Sequence, residues 1–184
     1  MRVIAGEAKG RRLKSPSGGT RPMTDRMKEA LFNVLGDVEG INVLDLYAGS
    51  GGLGLEALSR GAKKAIFVDS ARDAIVCLEA NIESTGFADR SELRWVDVTQ
   101  TLNQPADDRM ELIFVDPPYS VTPDSVQATL EQIVMGGWLA DRGRVVLHRP
   151  ERERKLHPLG LTLDWEREYG QSRLHIFIHE EEEE

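Results

Sequence analysis

Four aspartates in this chain of 184 residues stand at the ends of apolar runs. They are Asp45 in Val43-Leu44-Asp45-Leu46, Asp69 after Ala65-Ile66-Phe67-Val68, Asp97 after Trp95-Val96, and Asp116 after Leu112-Ile113-Phe114-Val115. Carboxylates placed this way can receive hydrogen bonds from a ligand lying over the carboxyl edge of a sheet. Two of them belong to motifs. Asp45 precedes by four residues the first of the glycines Gly49, Gly51 and Gly54, which fit G-x-G-x-x-G. Such a loop lets the backbone approach a ligand closely, and the N–H groups of the following helix face it. Asp116 opens Asp116-Pro117-Pro118-Tyr119, which combines a carboxylate acceptor, a carbonyl fixed by a rigid Pro-Pro step and an aromatic face. Those three groups suit the holding of an amino group on a flat ring. The glycine loop alone, with Asp69 twenty residues after Gly49, would also suit a dinucleotide site. An acid inside the strand end at Asp45 and the second motif at Asp116 point elsewhere.

These residues need a sheet to bring them together, and the hydrophobic pattern supplies one. Thr24 can cap a helix to about Leu35, with Gly36 as its stop and Met27, Leu31, Val34 and Leu35 as its apolar stripe. A strand through Ile41–Leu46 leads into the glycine loop. The helix that follows puts Leu53, Ala57 and Leu58 on one face and stops at Gly61. Further strands are expected at Lys64–Asp69, Ser91–Val96, Glu111–Val115 and Arg144–His148. Helices are expected from about Ala71 to Thr85 and from Thr122-Pro123 to about Val134. Leu161–Glu168 and Leu174–Ile178 alternate apolar and polar residues across Tyr169-Gly170-Gln171, as an antiparallel pair does. The pattern predicts an α/β three-layer sandwich on a mostly parallel seven-stranded sheet with an antiparallel C-terminal end. Asp69 could instead cap the next helix, a job for which Ser70 competes. Asp97 reads equally well as a loop cap.

The paired motifs resemble those of S-adenosylmethionine (SAM)-dependent methyltransferases that act on exocyclic amino groups. The resemblance implies a Rossmann-like fold and SAM as cofactor, held by Asp45, Tyr47, Gly49, Ser50, Gly51, Asp69 and Asp97. Within that set Asp45 would take the methionine end, Asp69 the ribose hydroxyls and Asp97 the adenine amino group. The exocyclic amine of a base is a poor nucleophile, because its lone pair is delocalised into the ring. Asp116 can accept one amine N–H and the Pro117 carbonyl the other, while Tyr119 stacks on the base. Asp116, Pro117 and Tyr119 are therefore the catalytic candidates. Positioning and electrostatics would carry the rate without a metal.

The net charge of −8 hides an asymmetry: residues 1–30 carry eight Lys and Arg against three Asp and Glu, and the other 154 carry 15 against 28. A basic arm on an acidic body is a footprint for a polyanion. Met1–Ser15 reads as a β-hairpin of two short extended pieces, Val3-Ile4-Ala5 and Arg12-Leu13-Lys14, followed by a loop over residues 15–21. Arg2, Lys9, Arg11, Arg12 and Lys14, with Arg21 and Arg26, could neutralise RNA phosphates. Lys28 adds charge near the start of the first helix. The arm is expected to be separable from the cofactor site. The division is residues 1–22 for the basic hairpin and loop, 23–179 for the methyltransferase domain, and 180–184 for an acidic tail, expected to be disordered. The charged loop from Pro150 to Pro158 reads as a solvated connection. Cys77 is the single cysteine, so no intrachain disulfide forms, and it reads as a small buried hydrophobe. His148, His157, His175 and His179 show no metal-binding spacing and read as structural or surface groups. No apolar run approaches a membrane span, and the N-terminus lacks the apolar core of a signal peptide. A cytoplasmic protein is the expectation.

Across nearly its whole length the chain resembles the RsmD family of bacterial 16S rRNA guanine-N2 methyltransferases. The matching pieces are Arg2-Val3-Ile4-Ala5-Gly6 with Gly10-Arg11-Arg12-Leu13, and Arg21-Pro22-Met23-Thr24-Asp25-Arg26. The glycine loop through Leu58-Ser59-Arg60-Gly61 and Asp116-Pro117-Pro118-Tyr119 complete the set. The resemblance implies methyl transfer from SAM to N2 of a guanine in 16S rRNA within a small-subunit particle. A monomer is the expectation for the chain itself. The chain departs from the family after the second strand, where members often show Glu-x-Asp and this chain has Asp69-Ser70-Ala71. The acid is one methylene shorter and the second carboxylate is missing, which bears on cofactor affinity. Two other readings compete. A DNA adenine-N6 methyltransferase shares the Asp-Pro-Pro-Tyr motif, but usually carries a DNA-reading segment for which 184 residues leave little room. A non-catalytic RNA-binding module on the same fold would have no use for that motif.

Overall fold

The computed structural model describes residues 1–17 and 23–179. Arg21, most of the predicted loop and the acidic tail lie outside the described residues. The elements run α1 (Asp25–Leu35), β1 (Asn42–Leu46), α2 (Gly52–Ser59), β2 (Lys64–Asp69), α3 (Arg72–Thr85), β3 (Ser91–Trp95), α4 (Val98–Leu102), β4 (Met110–Val115), α5 (Pro123–Met135), β5 (Leu139–Pro150), β6 (Leu161–Tyr169) and β7 (Ser172–His179). One seven-stranded sheet has the order β3-β2-β1-β4-β5-β7-β6. Strands β1 to β5 are parallel, and β7 lies antiparallel between β5 and β6.

Alternation along the strands builds a core on each face. Val43, Phe67, Phe114 and Val146 pack with α1, α2 and α3 on one side. Leu44, Val68, Val115 and Val145 pack with α4 and α5 on the other. The chain runs outward from β1 to β3 and returns at β4, so the connections leave in opposite directions from β1 and β4. A crevice opens at such a switch point, and Asp45 and Asp116 flank it.

Local chemistry sets the helix ends. The Thr24 side chain accepts from the Met27 N–H, and Gly36 at φ 71° closes α1. An Arg144 guanidinium N–H donates to the Leu35 carbonyl (2.8 Å), satisfying an end group of that helix. Thr122 caps α5, with Pro123 in its first turn.

Several expectations need correction. The N-terminal arm doubles back on itself through an antiparallel bridge between Arg2 and Arg12 and three backbone hydrogen bonds, without forming regular strands. It is held instead by its neighbours. Helix α4 was not anticipated, because five residues are too short for a visible period. Val34 is 42% exposed, and Phe32 takes its place in the core. Helix α2 is buried on all sides rather than on one face, Glu56 included. Cys77 is half-buried.

Candidate active site

The glycine loop connects β1 to α2 in a tight path. Tyr47 takes φ 58°, a conformation that costs a bulky L-residue energy and tends to persist at functional sites. Gly54 is required by packing: a Cβ there would lie 2.4 Å from the Phe67 ring and 3.0 Å from Asp45 Oδ2. Because Gly54 has none, its N–H reaches Asp45 Oδ2 at 2.9 Å. The other Asp45 oxygen, Oδ1, is buried without a hydrogen-bond partner. Asp45 is 1% exposed, and burial, reinforced by Asp116 and Asp69, raises its pKa well above the usual carboxylate range.

At the end of β2, Asp69 Oδ2 accepts from the Gly49 N–H and Oδ1 from the Ala71 N–H, both at 2.9 Å. Asp69 thus clamps the glycine loop, and each oxygen keeps a second lone pair for a ligand. Asp97 Oδ1 accepts from the Thr99 N–H (2.8 Å) and caps α4, the alternative left open by the sequence.

Asp45, Tyr47, Gly49, Ser50, Asp69, Asp97 and Asp116 line one cavity of about 550 Å³. Gly51, Pro117 and Tyr119 are not among the residues that line it, whereas Pro118 is. Asp116 Oδ1 bonds His148 Nδ1 at 2.9 Å; among the described residues its Oδ2 carries no hydrogen bond. The Pro118 carbonyl is taken by the Val121 N–H (3.0 Å) and by Arg149 (3.1 Å). The Pro117 carbonyl receives none among the described residues. The Tyr119 ring meets His148 edge-on at 6.1 Å, and its hydroxyl pairs with Ser172 Oγ at 3.1 Å.

Sequence reasoning missed His148 and Arg149. Both are buried, yet neither belongs to a motif, and only the register of β5 beside β4 reveals them. Arg149 bonds the Pro118 and Val121 carbonyls and forms an ion pair with Glu153 at 2.5 Å. The charged loop after Pro150 thus supplies Glu153 to brace the motif.

The arm forms part of this cavity. Met1, Ser15 and Pro16 line it, and Ser50 Oγ donates to the Met1 sulfur at 3.3 Å. Below the arm, buried Glu56 accepts from the Ile4 and Ala5 N–H groups (2.8 and 3.2 Å). Lys28 lies beside Glu56 (3.4 Å) and donates to the Arg2 carbonyl (2.5 Å). Lys28 is therefore no surface charge: it is 2% exposed, and burial lowers its pKa. Arg2, Lys9, Arg11, Arg12, Lys14 and Arg26 are exposed, with Arg2 paired to Asp25. Buried Val3, Ala8 and Leu13 anchor the same arm.

The model of a family described as "Conserved hypothetical protein 95" matches residues 1–178. The ribosomal RNA small subunit methyltransferase D of Escherichia coli (strain K12) is 33% identical over 183 residues, covering 98% of this chain and 90% of the relative. The chain belongs to the ribosomal RNA small subunit methyltransferase D (RsmD) family. The solved yhhF structure from Escherichia coli shares 32% identity at a TM-score of 0.86, covering 98% of both chains. A ribosomal protein L11 methylase from Lactobacillus delbrueckii subsp. bulgaricus, 16% identical at a TM-score of 0.69 over 89% of this chain and 82% of its own, shares the fold. The fold is the Rossmann-like methyltransferase sandwich.

SAM has features that the residues present can meet. Asp45 lines the cavity and its Oδ1 has no partner, a lack that a cationic ligand group would satisfy, and Asp69 can serve a polar ligand. A prediction follows from the buried acid. Asp45 binds its proton more tightly folded than unfolded, so stability without ligand falls as pH rises from the unfolded pKa through the raised folded one. Asp45→Asn should remove that fall and stabilise the fold at neutral pH by about 1–3 kcal/mol of relieved desolvation, so the melting temperature rises there, while SAM binding weakens. Melting curves from pH 4 to 8 that keep the same slope in the variant would remove Asp45 as its source.

The Asp69 clamp supports a second prediction. Asp69→Ala should lower SAM affinity about ten-fold or more, since a charged acceptor is worth roughly 1.5–3 kcal/mol and the loop it holds at Gly49 is freed as well. Calorimetric titration giving the parent affinity would take Asp69 out of the site.

Proposed function

We propose that the chain transfers a methyl group from SAM to the exocyclic N2 of a guanine in 16S rRNA of the small ribosomal subunit. The observation that carries the reading is Asp116. It is held through one oxygen by His148, and its other oxygen is left for a donor at the cavity that also holds Asp45 and the glycine loop. The E. coli relative's name, a small-subunit rRNA methyltransferase, supports the RNA class.

When bound, SAM supplies a methyl group made labile by its sulfonium. The rest falls to the chain. Asp116 Oδ2 accepts one amine N–H and the unbonded Pro117 carbonyl accepts the other, orienting the nitrogen lone pair as the amine becomes tetrahedral. Tyr119 offers its ring to the unstacked base. Its hydroxyl anchor on Ser172 fixes the ring, so Tyr119→Phe should lose about five-fold in activity, the equivalent of about 1 kcal/mol. The exposed arm residues Arg2, Lys9, Arg11, Arg12 and Lys14, with Arg21 and Arg26, contact phosphate without reading sequence.

The test is labelled methyl transfer to small ribosomal subunits lacking the modification, followed by nucleoside analysis. N2-methylguanosine is the expected product. Label in adenine, or none in RNA while SAM binds, would replace this reading with the DNA-enzyme or non-catalytic alternative.

A further inference from the structure

Beyond the residues of the motif, the structure assigns to His148 the role of a positioning residue: an imidazole that donates from Nδ1 to Asp116 Oδ1 and thereby aims Oδ2 at the substrate amine. This deepens the proposed function and rests on it.

The pleat of β5 places His148 and Arg149 on opposite faces of the sheet. Each grips the segment after β4 from its own side. His148 shares its face with Val146 and lies opposite Leu174 of β7; its ring is 2% exposed and stands 2.9 Å from Asp116. Arg149 holds the backbone at Pro118 and Val121. The side chain and the backbone of the motif are thus fixed separately. An ionised Asp116 accepts only, so Nδ1 must carry the hydrogen and Nε2 the lone pair. Nε2 is buried without a hydrogen-bond partner. The proton that the methylated amine sheds leaves through Oδ2 of Asp116, which lines the cavity.

The test compares three variants in single-turnover transfer to small subunits, with SAM affinity and melting measured alongside. The Asn side-chain amide can stand where Nδ1 does, so His148→Asn should retain the parent rate within a few-fold. His148→Gln, whose amide lies one bond further out, and His148→Leu, which has no donor, should lower kcat about 10- to 100-fold with KM and SAM affinity little changed, the effect expected of a misplaced reacting group. If His148→Leu does not fold, the Asn–Gln pair decides. An Asn variant as slow as Gln, or a Leu variant as fast as the parent, overturns the assignment. The ring nitrogen resonances of His148 give an independent readout: protonated Nδ1 and bare Nε2 are expected without any RNA present. The opposite tautomer overturns the pairing itself, whereas a correct tautomer in a chain that methylates no RNA overturns only the proposed function.

Discussion

Asp116→Ala should lower kcat for methyl transfer by about 10²-fold or more, the size of effect seen when one preorganised polar group is removed from a reacting centre. In the proposed mechanism Asp116 acts on the amine as its geometry changes, so the loss should belong to the transition state. SAM affinity should hold, since the residue faces the base. Tyr119→Ala should behave differently. It removes a stacking face worth about 1–3 kcal/mol, which appears largely in KM. The measurement is single-turnover transfer to small ribosomal subunits over a range of subunit concentrations. A near-normal rate for a folded Asp116→Ala chain would sink the mechanism assigned to this carboxylate.

The other large effect is expected beneath the N-terminal arm. Glu56→Ala should cost about 3–5 kcal/mol of stability, because it leaves buried Lys28 without its carboxylate. The Ile4 and Ala5 N–H groups lose their acceptor as well. A chain of this size should then melt roughly 6–20 °C lower, at about 2–4 °C per kcal/mol. A milder change separates arm docking from the buried charge. Gly6 takes φ 85°, and a Cβ there would lie 1.8 Å from the Ser59 carbonyl oxygen. Gly6→Ala should lift the arm and leave the sheet intact. Because Met1, Ser15 and Pro16 line the cavity, SAM affinity should fall together with RNA binding. Retention of full SAM affinity in Gly6→Ala, with RNA binding lost, would restore the arm as a separable module.

The parts of the fold legible in the sequence were those written in local chemistry. Thr24, Gly36 and Thr122-Pro123 mark helix ends that the structure keeps. The apolar runs closing in Asp45, Asp69 and Asp116 are strands whose ends meet over one cavity. What stayed hidden depends on contacts distant in sequence. Lys28 reads as one more basic residue until Glu56 is found beneath it. His148 sits 32 residues from Asp116, and no periodicity connects them. Asp97 could not be resolved, because the same carboxylate suits a ligand or a short helix, and α4 is too short to show a period.

Glu56 ties the arm's backbone to the helix that follows the glycine loop. One consequence is thermodynamic reciprocity. If docked RNA steadies the arm and tightens the hold on SAM by some factor, bound SAM must tighten the hold on RNA by that same factor. The demethylated cofactor product would then leave most readily after the RNA does. Titrations of cofactor with and without a small-subunit RNA fragment, and of the fragment with and without cofactor, should return one coupling factor, and a factor of one in both would mean the shared wall transmits nothing.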